Sequence, residues 1–209
     1  MTSLPGRVKR TVLNGNKLIL RDKREGDAKR DYKWKTDPEI ARLDASFPID
    51  LSFSQFQALH MDQPPFFTDF GSRTFAIDTL EGEHIGNCMY YNLDKRERSA
   101  ELGIIIGESA YWNQGYGTEA LNLFVKHLFE EMRLGIVYLH TLEWNIRARR
   151  AFEKCGFSAS GIVNKNGYVF AAMQLERSRW ERMNSSQELW EAPACSSPPT
   201  TIETTPHSK

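Results

Sequence analysis

Hydrophobic and polar positions repeat with two different periods along this chain, and the change of period marks out its elements. Ala120, Leu121, Phe124, Val125, Leu128, Phe129 and Met132 recur at helical spacing, which predicts an amphipathic helix over residues 118–133. Period-two or continuous apolar runs predict strands over 17–21 (Leu18, Leu20), 74–79 (Phe75 and Ile77 on one face), 84–93, 99–106 and 136–142. A turn at Glu81-Gly82-Glu83 folds two of these into a hairpin, and Asn166-Gly167 does the same for 157–163 and 168–175. Residues 94–98 are charged and read as an exposed turn. Earlier in the chain, a helix over 27–35 breaks at Asp37-Pro38, where Asp37 caps a short helix that starts on Pro38. Ser52 or Ser54 caps another, 55–61, which ends before Pro64-Pro65. Asn145 caps a helix whose buried stripe is Ala148, Phe152 and Cys155, and Gly156 stops it. The sum is one domain of α+β (mixed α/β) class around one sheet, residues 1–183. Beyond about Asn184, Ser, Thr and Pro dominate, and 184–209 reads as a disordered tail that buries too little to offset chain entropy.

Composition narrows the classes. The 209 residues suffice for one well-buried domain and are short for two. Lys plus Arg number 27, as do Asp plus Glu, so nothing pulls the chain toward nucleic acid or an anionic membrane. No apolar run approaches the roughly 18 residues of a membrane helix, and no apolar segment follows the basic start as in a secretory signal. Cys88, Cys155 and Cys195 are odd in number and lack metal-type spacing, so free thiols in a reducing cytoplasm are expected. The histidines at 60, 84, 127, 140 and 207 form no HxH or HxxxH pair, and no metal is expected.

The chemistry concentrates at Gln114-Gly115-Tyr116-Gly117-Thr118-Glu119-Ala120, between the strand 99–106 and the helix 118–133. A glycine turn at a helix N-terminus collects unpaired backbone N–H groups at the positive end of the dipole, and so suits a phosphate-bearing ligand. A Walker loop requires Lys before the Ser or Thr that follows its last glycine, whereas Thr118 follows Gly117 directly. The dinucleotide fingerprint is present literally at 115–120, with Glu143 after the next strand, but eight residues separate Ile106 from Gly115 and little αβ pattern remains downstream.

The whole segment 101–157 resembles the GNAT N-acetyltransferases. It carries Glu-Leu-Gly-Ile-Ile-Ile, then Tyr-Trp-Asn-Gln-Gly-Tyr-Gly-Thr-Glu-Ala, then Asn145-x-x-Ala148-x-x-x-Phe152-Glu153-Lys154-x-Gly156-Phe157. The RimJ/RimL-like and polyamine-acetyltransferase-like branch is the most similar, and the resemblance covers roughly residues 17–176. It implies a GNAT-like fold, a single central and mostly antiparallel sheet with splayed central strands, flanked by helices. It also implies acetyl-CoA as co-substrate, with the pyrophosphate held by the loop Trp112, Asn113, Gln114, Gly115, Tyr116 and Gly117 with Thr118. Trp112 departs from the Gln or Arg of the family pattern. A strand N–H among Ile104, Ile105 and Ile106 would bind the acetyl carbonyl.

Glu101 shares a face with Gly103 and Ile105 and matches an acidic position that acts as base or binds the amine in similar enzymes. A surface pairing of Glu101 with Arg96 or Arg98 is the alternative. Asn145 matches the asparagine that caps the helix and contacts the cofactor arm or a water. Phe152 stands where the family often has a tyrosine acid, and would pack in the core or on the cofactor arm. Arg147, Arg149 and Arg150 could reach the coenzyme phosphates from this helix, with a charged solvated face the commoner explanation, and Glu119 reads as facing solvent or favouring the helix N-terminus. The acceptor implied is a protein N-terminal amine or a small amine such as a polyamine, amino acid or aminoglycoside, in a pocket made by 34–61 and the hairpin tip 164–172. A homodimer is common in the family. A non-catalytic acyl-CoA-binding sensor is the second class of function, favoured by the missing tyrosine.

Overall fold

A computed structural model describes residues 12–61 and 71–191. Its centre is an eight-stranded sheet. The strands are β1 (Val12–Asn14), β2 (Leu18–Asp22), β3 (Arg73–Thr79), β4 (His84–Asp94), β5 (Ser99–Ile106), β6 (Ile136–Leu142), β7 (Ser158–Lys165) and β8 (Tyr168–Glu176). They lie in the order β1-β2-β3-β4-β5-β6-β8-β7, and every neighbouring pair is antiparallel except β5 with β6. The helices are α1 (Ala28–Thr36), α2 (Pro38–Leu43), α3 (Phe53–Met61), α4 (Tyr116–Glu130), α5 (Ile146–Lys154) and α6 (Arg177–Glu191).

The exception builds the site. β5 and β6 pair only over Ser99↔Ile136, Ala100↔Val137 and Glu101↔Tyr138. Beyond that point β5 stays on β4 as far as Ile106, and β6 stays on β8 as far as Leu142. The sheet therefore opens between its two central strands, leaving one edge of each without a strand partner.

Period-two alternation sorts the strand residues onto two faces. On one, Leu18, Leu20, Phe75, Ile77, Leu102, Val137, Leu139, Met173 and Leu175 meet Ala120, Leu121, Phe124, Val125, Leu128 and Phe129 of α4, all fully or nearly buried. At about 25 cal/mol per Å² of apolar surface, this layer is the main source of stability. On the other face α1–α3 cover β2–β4, where Trp34, Ile40, Ala41 and Phe56 are buried. A buried polar cluster pins α1 there. Arg21 donates to both Asp27 and Asp78, and Asp31 accepts from Lys23 and Asn87 and lies beside His84.

Several elements differ from the sequence-based expectation. α4 ends at Glu130 rather than 133. β1 is a short edge strand with no periodic signal of its own. The boundary at 184 falls inside α6, which runs to Glu191, and 192–209 lie outside the described residues. The α6 pattern is polar almost all round, and its attachments are tertiary. Trp180 packs on Phe129 with ring centroids 5.5 Å apart, and Met183 fills the space left by the absent Cβ of Gly156. Cys88 and Cys155 are free and buried, and Cys195 lies outside the described residues. No helix among the described residues is long and apolar enough to cross a membrane.

Candidate active site

The split in the sheet continues into a cleft of about 560 Å³. One wall is the end of β5 (Ile104, Ile105, Ile106) with Tyr111, Trp112, Asn113, Gly115, Gly117 and Thr118. Another is the α5 turn and helix, with Asn145, Arg147, Ala148, Arg150, Phe152 and Lys154, and Ile40, Leu43 and Asp44 of α2 close a third side.

The loop conformation follows from its sequence. Asn113 (φ 60) and Gly115 (φ 88) both adopt the left-handed region, which glycine enters freely and asparagine tolerates. These two turns lead directly into α4, whose first N–H groups have no capping side chain. Among the described residues, the amides of 113–118 find no acceptor, although the first helical bond, Glu119 N to Gly115 O, is made at 2.9 Å. A row of free donors therefore ends a fifteen-residue helix at the mouth of the cleft. The Gln114 amide donates to Ala110 O, and Tyr116 packs on Tyr111 at 5.0 Å and against the core. Glu119 is not free in solvent. Its Oε1 accepts from Asn16 N at 2.5 Å and Lys17 N at 2.8 Å, tying the first turn of α4 to the turn between β1 and β2.

Trp112 links the two walls. Its Nε1 donates to Ile106 O at 2.7 Å, and the Arg147 guanidinium lies 3.9 Å from the centre of its ring. Arg147 and Arg150 are exposed, as a solvated face requires, and also line the cleft with Lys154. The i, i+3, i+7 spacing of 147, 150 and 154 on a capped helix was the available signal. Asn145 caps α5 by accepting from Ala148 N at 3.2 Å and also lines the cleft. Phe152 is buried, packs against Phe157 and contributes to the cleft floor. Burial pushes the Cys155 thiol up to about 12, so it is no nucleophile near neutrality.

The β5 amides divide by direction. Gly107 N donates back to Ile85 O on β4, and Ile105 O lies against Gly86 of β4, while Ile106 O faces Trp112. Alternation then turns the N–H groups of Ile104 and Ile106 into the split and that of Ile105 toward β4.

Glu101 does not line the cleft itself. It sits at the base of the split, in the last β5–β6 pair, on the face away from α4. Its Oε1 accepts from Tyr91 at 3.1 Å and faces His140 Nδ1 at 2.7 Å, and its Oε2 accepts from Asn92 at 2.9 Å. Asn92 reaches the carboxylate beside its neighbour Tyr91 because it takes a left-handed turn (φ 52) where the β4–β5 register slips. Neither Arg96 nor Arg98 is a partner, and the Arg98 guanidinium donates to Arg133 O instead. Burial, followed by the Glu101 charge, raises the Tyr91 pKa, and Asp44 of the cleft wall adds to the same shift.

The arrangement accepts a long ligand with an anionic end. Free amides and three cations suit a diphosphate, the cleft lies in the usual range of cofactor sites, and the inward Ile104 and Ile106 amides suit a carbonyl. Among the described residues, no group of three or more His, Cys, Asp or Glu side chains is placed to hold a metal ion.

A sheet split between parallel central strands, with a helix N-terminus aimed at the opening, is a scaffold that can hold a long anionic ligand against the free strand edge. A family model described as acetyltransferase (GNAT) domain matches residues 17–158, and the chain belongs to that family. A spermine/spermidine N(1)-acetyltransferase of Bacillus subtilis is 29% identical over 92 residues, 42% of this chain. That match spans 60% of the relative's length. Among solved structures, a spermidine N-acetyltransferase from Vibrio cholerae in complex with CoA and spermine superposes with a TM-score of 0.70 at 22% identity. The superposition covers 80% of this chain and 99% of that one. An aminoglycoside acetyltransferase in complex with coenzyme A gives 0.67 at 20% identity, over 80% and 99%. At these identities the structural likeness concerns the fold.

Proposed function

We propose that the chain is an acetyl-CoA-dependent N-acetyltransferase of the RimJ/RimL-like branch, acting on a small amine with more than one positive charge. The observation that carries this reading is the placement of three features along the split in the sheet. These are the free amides of 113–118, the inward N–H groups of Ile104 and Ile106, and the Glu101 carboxylate at the base of the split. Acetyl-CoA supplies an activated acetyl thioester. The chain's residues bind the diphosphate, orient the carbonyl and receive the amine. The carboxylates of Asp44 on the cleft wall and Glu101 at the base of the split favour a polyamine over a neutral acceptor, and the names of the relatives point the same way. The unpaired edge of β7, with Ile162 and Val163 exposed, supports a homodimer as the assembly.

Phe152 favours a second reading, an acyl-CoA sensor, because it has no proton to give a departing thiolate. The two readings part in one experiment. The full chain is titrated calorimetrically with acetyl-CoA, then mixed with acetyl-CoA and a panel of spermine, spermidine, aminoglycosides and an N-terminal peptide while free thiol is followed. Thiol release with the polyamines is expected. Binding without release on any acceptor supports the sensor, and no binding removes both readings.

A further inference from the structure

Glu101 is poorly placed to take a proton from an incoming amine. Its side chain is 11% exposed, and three neighbours, Tyr91, Asn92 and His140, already occupy its oxygens. His140 differs on both counts. Its side chain is 32% exposed, and among the described residues its Nε2 has no partner. It lies on β6 two residues past Tyr138, the last residue paired with β5, and so stands about 7 Å into the open split. Its side chain is on the same face as Glu101, the face away from α4.

An ionised carboxylate only accepts hydrogen bonds, so the 2.7 Å contact places the proton of a neutral His140 ring on Nδ1 and leaves the lone pair on Nε2. A buried carboxylate that fixes the tautomer of a more exposed imidazole is the arrangement by which hydrolases prepare a histidine base. We infer that His140 Nε2, held by Glu101, is the general base of the acetyl transfer, with Glu101 as its positioning residue. This inference rests on the function proposed above.

The proton balance is as follows. Nε2 takes one proton from the acceptor ammonium and releases it to solvent after turnover. The freed nitrogen lone pair forms the N–C bond as the C–S bond breaks, and the electron pair leaves on sulfur together with the second amine proton. The net products are acetamide, thiol and one proton. No protein acid is required, which agrees with phenylalanine at 152.

The charged and titratable groups around the ring are Glu101 from β5, Tyr138 on its own strand and Tyr91 from β4. Asp94 and Asp44 lie further out and act on Tyr138 and Tyr91. From β8 the residue opposite is Ala172. Glu101 is therefore the group in direct contact that sets the ring's tautomer.

Two measurements on the full chain test the inference. In the first, nitrogen-15 NMR of the histidine rings, with His140 assigned by difference from His140→Gln, reads the free wild-type protein. The Nδ1–H tautomer is expected, with that preference lost in Glu101→Gln, and an Nε2–H tautomer overturns the inference whatever the activity. The second uses steady-state rates with spermine. His140→Gln is expected to lose about 10²–10⁴-fold in kcat and the acid limb of the pH profile, at unchanged coenzyme affinity. Added imidazole should restore part of the rate in His140→Gly. A His140→Gln rate within threefold of wild type overturns the base assignment while leaving the acetyltransferase intact. A wild-type chain that turns over no amine overturns the proposed function and the base role together.

Discussion

The two halves of the split, the proposed coenzyme half and the proposed acceptor half, are built differently. The coenzyme half is contiguous: two left-handed residues, a helix N-terminus and one face of α5, all within residues 112–154. Its donors are largely main chain, so its chemistry follows from backbone shape. The acceptor half is assembled from Asp44 after α2, Tyr91 and Asn92 on β4, Glu101 on β5 and His140 on β6. There the chemistry resides in side chains, and the sheet brings them together. Substitution should therefore separate the halves, with rate lost on one side and coenzyme affinity on the other.

The largest effect is expected at Glu101. Glu101→Gln keeps the size but removes the charge that orients His140, and kcat with spermine should fall about 10²–10⁴-fold. Calorimetric affinity for acetyl-CoA should stay within a factor of two. A matched loss of coenzyme affinity would show that the halves are not separable.

Gly107→Ala addresses the wall behind the acceptor half. A Cβ there would lie 2.1 Å from the Trp34 ring, which cannot retreat because it stacks on His84 and donates to Glu108. Overpacking of this kind costs about 1–3 kcal/mol. α1 passes through the Asp37 cap directly into α2, whose Ile40 and Leu43, with Asp44, line the cleft. Thermal melts should show the loss, and KM for the amine should rise more than KM for the coenzyme.

The same contrast explains what the sequence disclosed. The glycine loop, the Asn145 cap and the α4 stripe are local patterns, readable because their partners lie a few residues away. His140 was read as one of five scattered histidines, since its partner is 39 residues distant on a parallel strand that no hairpin rule can pair. Arg147 shows the limit of local pattern: a cation on an exposed helix face can also border a cleft, and its stacking on Trp112 becomes visible only once the chain is folded. α6 lacked an apolar stripe, and its anchors Phe129 and Gly156 become visible only once the chain is folded.

On the coenzyme half, Arg147→Ala removes the cation stacked on Trp112. Loss of one charge-assisted contact at an exposed site should weaken acetyl-CoA binding about tenfold, or 1.4 kcal/mol, with kcat unchanged at saturation. The wild-type advantage should shrink as salt rises, because exposed charges are screened. An effect on kcat instead would place Arg147 in the acceptor half.

The smallest effect distinguishes stability from chemistry through pH. Burial disfavours the charge on His84, but its contacts with Asp31 and Asp78 outweigh this and raise its pKa. Burial likewise opposes the charges on Asp27, Asp31 and Asp78, yet hydrogen bonds from Arg21, Lys23 and His84 hold all three below the ordinary range. The carboxylates contribute stability that is present above about pH 3.9 and lost as pH falls through their lowered values. His84 contributes stability that is full below about pH 6.5 and lost as pH rises through its raised value. The melting temperature should therefore decline on both sides of a mildly acidic plateau, by roughly 2–4 °C for each kcal/mol lost. His84→Gln should abolish the alkaline decline and leave the acid one. Activity should run the other way across neutrality, because only the deprotonated acceptor amine is a nucleophile. A chain whose melting temperature and kcat rise together between pH 6 and 8 would contradict the assignment of His84 to the scaffold and His140 to the chemistry.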